Sequence, residues 1–129
     1  GSMSRKVKEK EPVRCIAYLS VFNHDRYVES YEKKQLKKIK EYAVAHNIEI
    51  VRVFHKDVLG QGDVNEHFAE IVGRINRGQA DGVIVFSMRC ICPFMENAYT
   101  KVGMVKSAGG RMFTVQEGEL GMVLRNFAG

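Results

Sequence analysis

Two cysteines separated by one residue, Cys90 and Cys92, are the first residues whose types and spacing suggest chemistry. Thiolates bind zinc, but a structural zinc site needs four ligands and usually wider cysteine spacing, and no second pair follows. Cys92 directly precedes Pro93, where the start of a helix would lower the thiol pKa and make Cys92 reactive. An ordinary loop or packed cysteine is the favoured interpretation, and we expect no metal.

The other polar candidates are dispersed along the chain. The four histidines have neither metal-type nor triad spacing; they are His24, His46, His55 and His67. His46 is interpreted as a capping or packing residue at a helix end. Gly60-Gln61-Gly62 is too short to be a phosphate-binding loop and is interpreted as a flexible connector. These observations predict no cofactor.

The elements that must position these residues alternate as β-α-β-α-β-α-β. Apolar runs of strand length occupy residues 13–21, 48–54, 82–87 and 111–115, and helical periodicity lies between them. We predict an α/β fold, a three-layer sandwich with a central, mainly parallel sheet of about four to five strands. Ligands of such sheets collect beyond the carboxyl ends of the strands, here residues 20–26, 55–65 and 87–93.

Helix boundaries and inward faces also follow from the sequence. The first helix begins near Ser30, ends at His46-Asn47 and turns Leu36, Ile39, Ala43 and His46 inward. The second spans about 65–77 and stops at Gly78, with Phe68, Ile71, Val72 and Ile75 inward. The third begins at Pro93 and is broken by Gly109-Gly110, with Met95, Ala98, Val102 and Val105 on its buried stripe.

Composition favours one soluble globular domain. The chain has 129 residues, of which 45% are hydrophobic and 27% charged. The absence of a long apolar run and of a signal peptide predicts a cytoplasmic protein with reduced cysteines and no membrane partner. The formal net charge is +5, much of it in an N-terminal tail and one lysine-rich helix. A solvated tail and helix face are the favoured explanation of this charge, with weak nucleic-acid contact as the alternative.

Read in order, the strand ends resemble the catalytic domain of the serine recombinases, the resolvases and invertases. The family's Tyr-Ala-Arg-Val-Ser pattern is matched by Tyr18-Leu19-Ser20-Val21-Phe22, and its Leu-Asp-Arg-Leu-Ser-Arg loop by Met88-Arg89-Cys90-Ile91-Cys92-Pro93. The further matches, which extend the resemblance over about residues 13 to 118, are Gln35-Leu36, Tyr42-Ala43, Glu49-Ile50-Val51-Arg52, Gly60-Gln61-Gly62 and Phe113-Thr114-Val115-Gln116-Glu117-Gly118.

The resemblance implies a serine that attacks a DNA phosphodiester while arginines stabilise the developing charge. The nucleophile position falls on Phe22, which has no lone pair to offer, and the preceding arginine position falls on Ser20. The family's Asp position carries Arg89. The remaining arginine positions fall on Cys90, Pro93 and, within one residue of alignment, Asn65. We therefore expect no catalytic residue at these positions and no DNA cleavage.

Three functional hypotheses remain. The first is an inactive serine-recombinase-like domain linked to site-specific DNA recombination, which acts as an assembly or DNA-associated module. The second is an active recombinase or other enzyme that uses the relocated residues Ser20, Arg89 or Cys92. The third is a small-molecule-binding α/β domain whose likeness to recombinases is only architectural.

Partners and boundaries follow from the first hypothesis. The resemblance implies a homo-oligomer, at least a dimer, with an active recombinase or mobile-element DNA as further partners. Contact of this chain alone with DNA would be weak and non-specific. We assign residues 1–12 to a tag remnant and flexible basic tail, 13–118 to the resolvase-like domain, and 119–129 to a C-terminal tail or the start of a truncated helix.

Overall fold

A computed structural model describes residues 11–20, 28–55, 61–90 and 95–121 of the chain. Five strands are described, β1 (Val13–Leu19), β2 (Ile48–His55), β3 (Gly82–Val85), β4 (Arg111–Thr114) and β5 (Gly118–Leu120). The helices are α1 (Val28–Ala45), α2 (Gln61–Asn76) and α3 (Met95–Ser107), and a 3₁₀ turn spans Met88–Cys90. Strands and helices therefore alternate along the chain up to β4, as the sequence predicts.

The strands form one sheet in the order β2-β1-β3-β4-β5. The first four strands are parallel, and β5 pairs antiparallel with β4. Helices cover both faces of this sheet, because α2 and α3 contribute to one apolar cluster and α1 to the other. The predicted α/β sandwich with a mainly parallel sheet of four to five strands is confirmed.

The two central strands have apolar side chains on both faces. In β1, Ile16 and Tyr18 point to the α2–α3 side, whereas Cys15, Ala17 and Leu19 point to the α1 side. All four residues of β3 are buried. Strands that are covered on both faces have continuous apolar runs in the sequence rather than alternating ones.

Three helix ends coincide with residues in the left-handed backbone region. Asn47 has a φ of 57°, Gly78 of 79° and Gly109 of 86°. Past α2, the N–H of Gln79 donates to the carbonyl of Arg74 at 2.9 Å and that of Gly78 to Ile75 at 3.0 Å. These bonds satisfy carbonyls that a helix leaves unpaired at its end. The predicted stops at Asn47, Gly78 and Gly109 are confirmed.

The inward face of α1 needs one correction. Ile39 and Ala43 are buried and Leu36 packs against them, but His46 is exposed. Its ring stacks on that of Tyr42 with the centroids 3.8 Å apart, and its Nδ1 lies 2.9 Å from the Tyr42 carbonyl. Since α1 ends at Ala45, His46 lies beyond the helical periodicity that would have turned it inward. Capping at the helix end is its role.

α2 begins at Gln61, four residues before the predicted start, so Gln61 and Gly62 belong to the helix and not to a flexible connector. On α2, Phe68, Ile71 and Ile75 are buried, and Val72 packs against the same cluster. On α3, Val102 and Val105 are buried. The side chains of Met95 and Ala98 lie outside the described residues.

The C-terminal boundary lies beyond Gly118. Gly118–Leu120 form β5, so residues 119 and 120, expected to belong to a tail, belong to the sheet. Gly118 has a φ of 84°, and the Thr114 hydroxyl accepts a hydrogen bond from the Glu117 N–H at 2.7 Å. This turn reverses the chain and lets β5 pair with β4.

The amino ends of β1 and β3 are joined by Arg14 and Asp81. The Arg14 guanidinium contacts the Asp81 carboxylate at 3.0 and 3.2 Å, and the Arg14 N–H donates to the same carboxylate at 2.9 Å. These bonds hold the pKa of Asp81 below its usual value, since they favour the charged form. The contacts lie at the edge of the sheet opposite the predicted site.

In the described residues, no helix has the length and apolar character needed to cross a membrane.

Candidate functional site at the carboxyl edge of the sheet

The carboxyl ends of β1 and β3 lie side by side. Tyr18 of β1 is paired with Val85 of β3 on one side and with Phe54 of β2 on the other. Ser20 follows β1, and the 3₁₀ turn Met88–Cys90 follows β3. The topology thus brings Ser20 and the turn containing Arg89 to the same edge of the sheet, as the sequence predicts.

Ser20 is 1% exposed and is held through its backbone. The Gln35 side chain, which comes from α1, accepts a hydrogen bond from the Ser20 N–H at 2.9 Å. The same amide donates to the Ser20 carbonyl at 3.0 Å. The Gln35 side chain therefore bonds both backbone groups of Ser20, as the backbone of a neighbouring strand would, and holds the chain in place directly after β1.

The Ser20 hydroxyl is buried and has no hydrogen-bond partner among the described residues. A buried hydroxyl without a partner is energetically unfavourable, because water solvated it in the unfolded chain. At 1% exposure, the oxygen is also inaccessible to a phosphodiester from outside. The arrangement therefore does not present Ser20 as an attacking group.

Next to this strand end, Tyr18 and His67 form a contact that the sequence did not reveal. Tyr18 is fully buried, and its hydroxyl oxygen lies 3.2 Å from Nδ1 of His67 on α2. The Tyr18 ring also packs edge-on against Phe68, and the His67 ring against Phe54. The polar pair thus lies within an aromatic group that joins β1, β2 and α2.

The turn after β3 is anchored by a carboxylate from the turn after β4. Glu117 accepts a hydrogen bond from the Met88 N–H at 3.2 Å. Arg89, next to Met88, has an exposed side chain. The edge therefore presents an exposed guanidinium on a turn whose backbone is fixed by Glu117.

The other predicted positions are described in part or not at all. Asn65 lies in α2 and Cys90 ends the 3₁₀ turn, but their side chains are outside the described residues. Phe22, Cys92 and Pro93 lie outside them altogether, as do His24 and Gly60. The assignment of the nucleophile position to Phe22 thus remains a prediction from the sequence.

The described residues contain no group of three or more His, Cys, Asp or Glu side chains arranged to hold a metal ion. Cys15 of β1 is buried and free, and burial raises the pKa of its thiol to about 12. Because the thiolate is the reactive form, burial disfavours reaction at Cys15 near neutral pH.

No protein-family model and no curated protein matches the sequence. Solved structures do match the fold. The N-terminal catalytic domain of TP901-1 integrase superposes with a TM-score of 0.68 at 12% identity, covering 81% of this chain and 79% of that one. The chain has the fold of a serine recombinase catalytic domain.

A second solved structure supports the same conclusion. The C-terminal catalytic domain of ISC1926 TnpA, an IS607-like serine recombinase, matches with a TM-score of 0.63 at 14% identity. The match covers 90% of this chain and 76% of that domain. The predicted likeness to serine recombinases is therefore confirmed at the level of the fold.

Proposed function

We propose that this chain is a degenerate serine-recombinase-like domain, linked to site-specific DNA recombination and catalytically inactive. It acts as an assembly or DNA-associated module. The observation that carries the proposal is the combination of a serine recombinase catalytic-domain fold with Phe22 at the position that matches the nucleophile. A phenyl ring cannot form a phosphoester bond.

The surroundings of Ser20 support inactivity. Phosphoryl transfer needs a nucleophile in line with the phosphorus and cations on the phosphoryl oxygens. Ser20 occupies a position matched to an arginine, so one cation is replaced by a small neutral side chain. Its hydroxyl is enclosed. Arg89 is an exposed cation at this edge, but it matches the family's Asp position and not one of its arginines.

A DNA cleavage assay tests the proposal. The protein is incubated with supercoiled plasmid and quenched with SDS, and covalent protein–DNA adducts are separated on a denaturing gel. We expect no nicking and no adduct, while an active serine recombinase with its own site serves as the positive control. Any SDS-stable adduct would overturn the inactive assignment.

Assembly is measured separately. The resemblance implies self-association through this domain, and we expect a homo-oligomer, at least a dimer, in sedimentation velocity experiments at micromolar concentration. An active recombinase is the further partner to test by co-sedimentation. A chain that remains monomeric under all these conditions contradicts the assembly role.

One alternative is an enzyme whose catalytic residues have been relocated to Ser20, Arg89 or Cys92. It is favoured by the position of Ser20 and Arg89, which follow the adjacent parallel strands β1 and β3 at one edge of the sheet, and opposed by the burial of the Ser20 hydroxyl. If an adduct forms, Ser20→Ala and Cys92→Ala variants distinguish the attacking atom. Loss of the adduct in Ser20→Ala alone would identify Ser20 as the nucleophile.

A further inference from the structure

The outward face of α1 carries five exposed lysines, Lys33, Lys34, Lys37, Lys38 and Lys40, which we call the lysine face. Glu41 is the exposed carboxylate among them. Glu32, on the same helix, is only partly exposed and contacts Nδ1 of His55 at 3.0 Å. Among the side chains that the structure describes, the face is therefore strongly positive, with five lysines beside one exposed glutamate.

The lysine face has no internal partner in the described part of the chain. Arginines elsewhere form ion pairs with carboxylates: Arg14 with Asp81 at 3.0 Å, Arg74 with Glu70 at 2.8 Å and Arg111 with Glu119 at 2.8 Å. No described acidic residue forms such a pair with a lysine of α1. The charge of this face is thus available to an external anion, whereas these arginine charges are used within the fold.

Three of these lysines form a stripe along the helix. Lys33, Lys37 and Lys40 are spaced by four and three residues, which places them on one side of α1. They border a shallow depression of about 600 Å³ that Leu36, Glu41 and Val44 also line. At 1.5 Å per residue, Lys33 and Lys40 are about 10 Å apart along the axis, the rise of roughly three phosphates in one strand of duplex DNA.

We propose that the lysine face is a docking surface for the phosphate backbone of duplex DNA, an inference that rests on the proposed function for the choice of DNA. Lysine ammonium groups are compact charges that position a duplex through its phosphates without reading sequence. The stripe of Lys33, Lys37 and Lys40 contains no aromatic side chain on which the bases of a single strand could stack, and Tyr31, an exposed aromatic residue of α1, lies on the other flank and has an interaction of its own. Contact through it is therefore independent of sequence and sensitive to salt.

The lysine face lies on the side of α1 that points away from the sheet. The side of α1 that contains Ile39 and Ala43 packs on the sheet, and the lysine face lies away from it. DNA docked there would contact lysines that match none of the recombinase active-site positions. A non-catalytic module can bind DNA in this way without any catalytic residue.

Fluorescence anisotropy with a labelled 30-base-pair duplex of arbitrary sequence tests the proposal. The full chain is titrated at salt concentrations from 50 to 200 mM. We expect the Lys33→Gln/Lys37→Gln/Lys40→Gln variant to bind at least about tenfold more weakly at low salt. The slope of log K against log salt should become shallower by about 2 to 3, since each phosphate contact contributes about 0.9.

Matched variants assign the effect to this stripe. Arg52→Gln/Arg77→Gln/Lys106→Gln removes the same charge elsewhere and should change the slope by less than 1. Lys34→Gln/Lys38→Gln tests the other flank of the lysine face and should have an intermediate effect. Circular dichroism verifies folding, and glutamine preserves helix propensity at these positions on α1.

Several results would overturn the proposal. One is unchanged affinity and slope in the stripe variant; another is binding that is lost only when Arg5, Lys6, Lys8 and Lys10 of the N-terminal tail are replaced by glutamine. No DNA binding at 50 mM salt, or stripe-dependent binding to anionic vesicles but not to the duplex, would equally reject it. Failure of the proposed function is recognised differently, by a covalent adduct in the cleavage assay.

Discussion

Ser20 combines satisfied backbone groups with an unsatisfied side chain. Both backbone groups of Ser20 are bonded to Gln35, which holds the main chain in place after β1. The hydroxyl then lies buried without a partner among the described residues. Its burial opposes folding, while the backbone bonds favour it.

Replacement of Ser20 by alanine should therefore leave stability unchanged or raise it by about 1 kcal/mol, because the variant no longer buries an unsatisfied hydroxyl. The measurement is the free energy of unfolding from urea titrations. Ser87→Ala is the matched control, since Ser87 is also buried but has an interaction partner, and it should be destabilised. A loss of more than 1 kcal/mol in Ser20→Ala would show that the hydroxyl has a partner.

The sequence predicted the place of the site better than its contacts. Strand order alone brings Ser20 and Arg89 to one edge, because parallel strands end on the same side of a sheet. The bonds of Gln35 to Ser20 and of His67 to Tyr18 span 15 and 49 residues and depend on how helices pack on the sheet. No local pattern specifies such contacts. The nucleophile position, Phe22, stays a prediction.

At the scale of elements, long periodic segments were predictable and short ones were not. The four parallel strands, the three helices and their stops follow from apolar periodicity and from Asn47, Gly78 and Gly109. The three-residue β5 and the three-residue turn Met88–Cys90 were not predicted. Segments of three residues are too short to show a period. β5 is defined by its pairing with β4, and the turn Met88–Cys90 is held by the hydrogen bond from the Met88 N–H to Glu117.

Close packing of β3 on β4 depends on Gly82. A Cβ atom at Gly82 would lie against the backbone carbonyl oxygen of Arg111, and backbone cannot move aside as a side chain can. We expect Gly82→Ala to destabilise the protein by about 2–4 kcal/mol, measured by urea unfolding. Gly103→Ala in α3 meets no atom within 4 Å and should instead stabilise by about 0.5–1 kcal/mol. Equal stabilities for the two variants would contradict this account of the β3–β4 contact.

At the scale of the whole molecule, arginine–carboxylate pairs connect segments distant in sequence. Arg14 and Asp81 join β1 to the start of β3, and Arg111 and Glu119 join β4 to β5. In each pair, hydrogen bonds from the arginine lower the pKa of the carboxyl group. The same two pairs therefore make the stability of the sheet depend on pH.

Because the folded-state pKa values of Asp81 and Glu119 are lowered, these groups stabilise the fold above their unfolded values, about 4 to 4.5. That contribution is lost as the pH falls through the lower folded-state values. Urea midpoints should thus decrease steadily from pH 5 to pH 3. Asp81→Asn, which cannot titrate, should be less stable at pH 7 and show a shallower decrease; an identical pH slope would exclude Asp81 as a contributor.

The division of cationic groups between α1 and the rest of the fold has a chemical consequence. Every cation of the lysine face is a primary amine, whereas the bonds that join the strands use guanidinium groups, which remain protonated and do not react with amine-directed reagents. Acylation by a succinimidyl ester would therefore remove the positive charge of the lysine face and leave the strand-joining bonds unmodified. The charge of this helix face is covalently removable, and the charge that supports the architecture of the sheet is not.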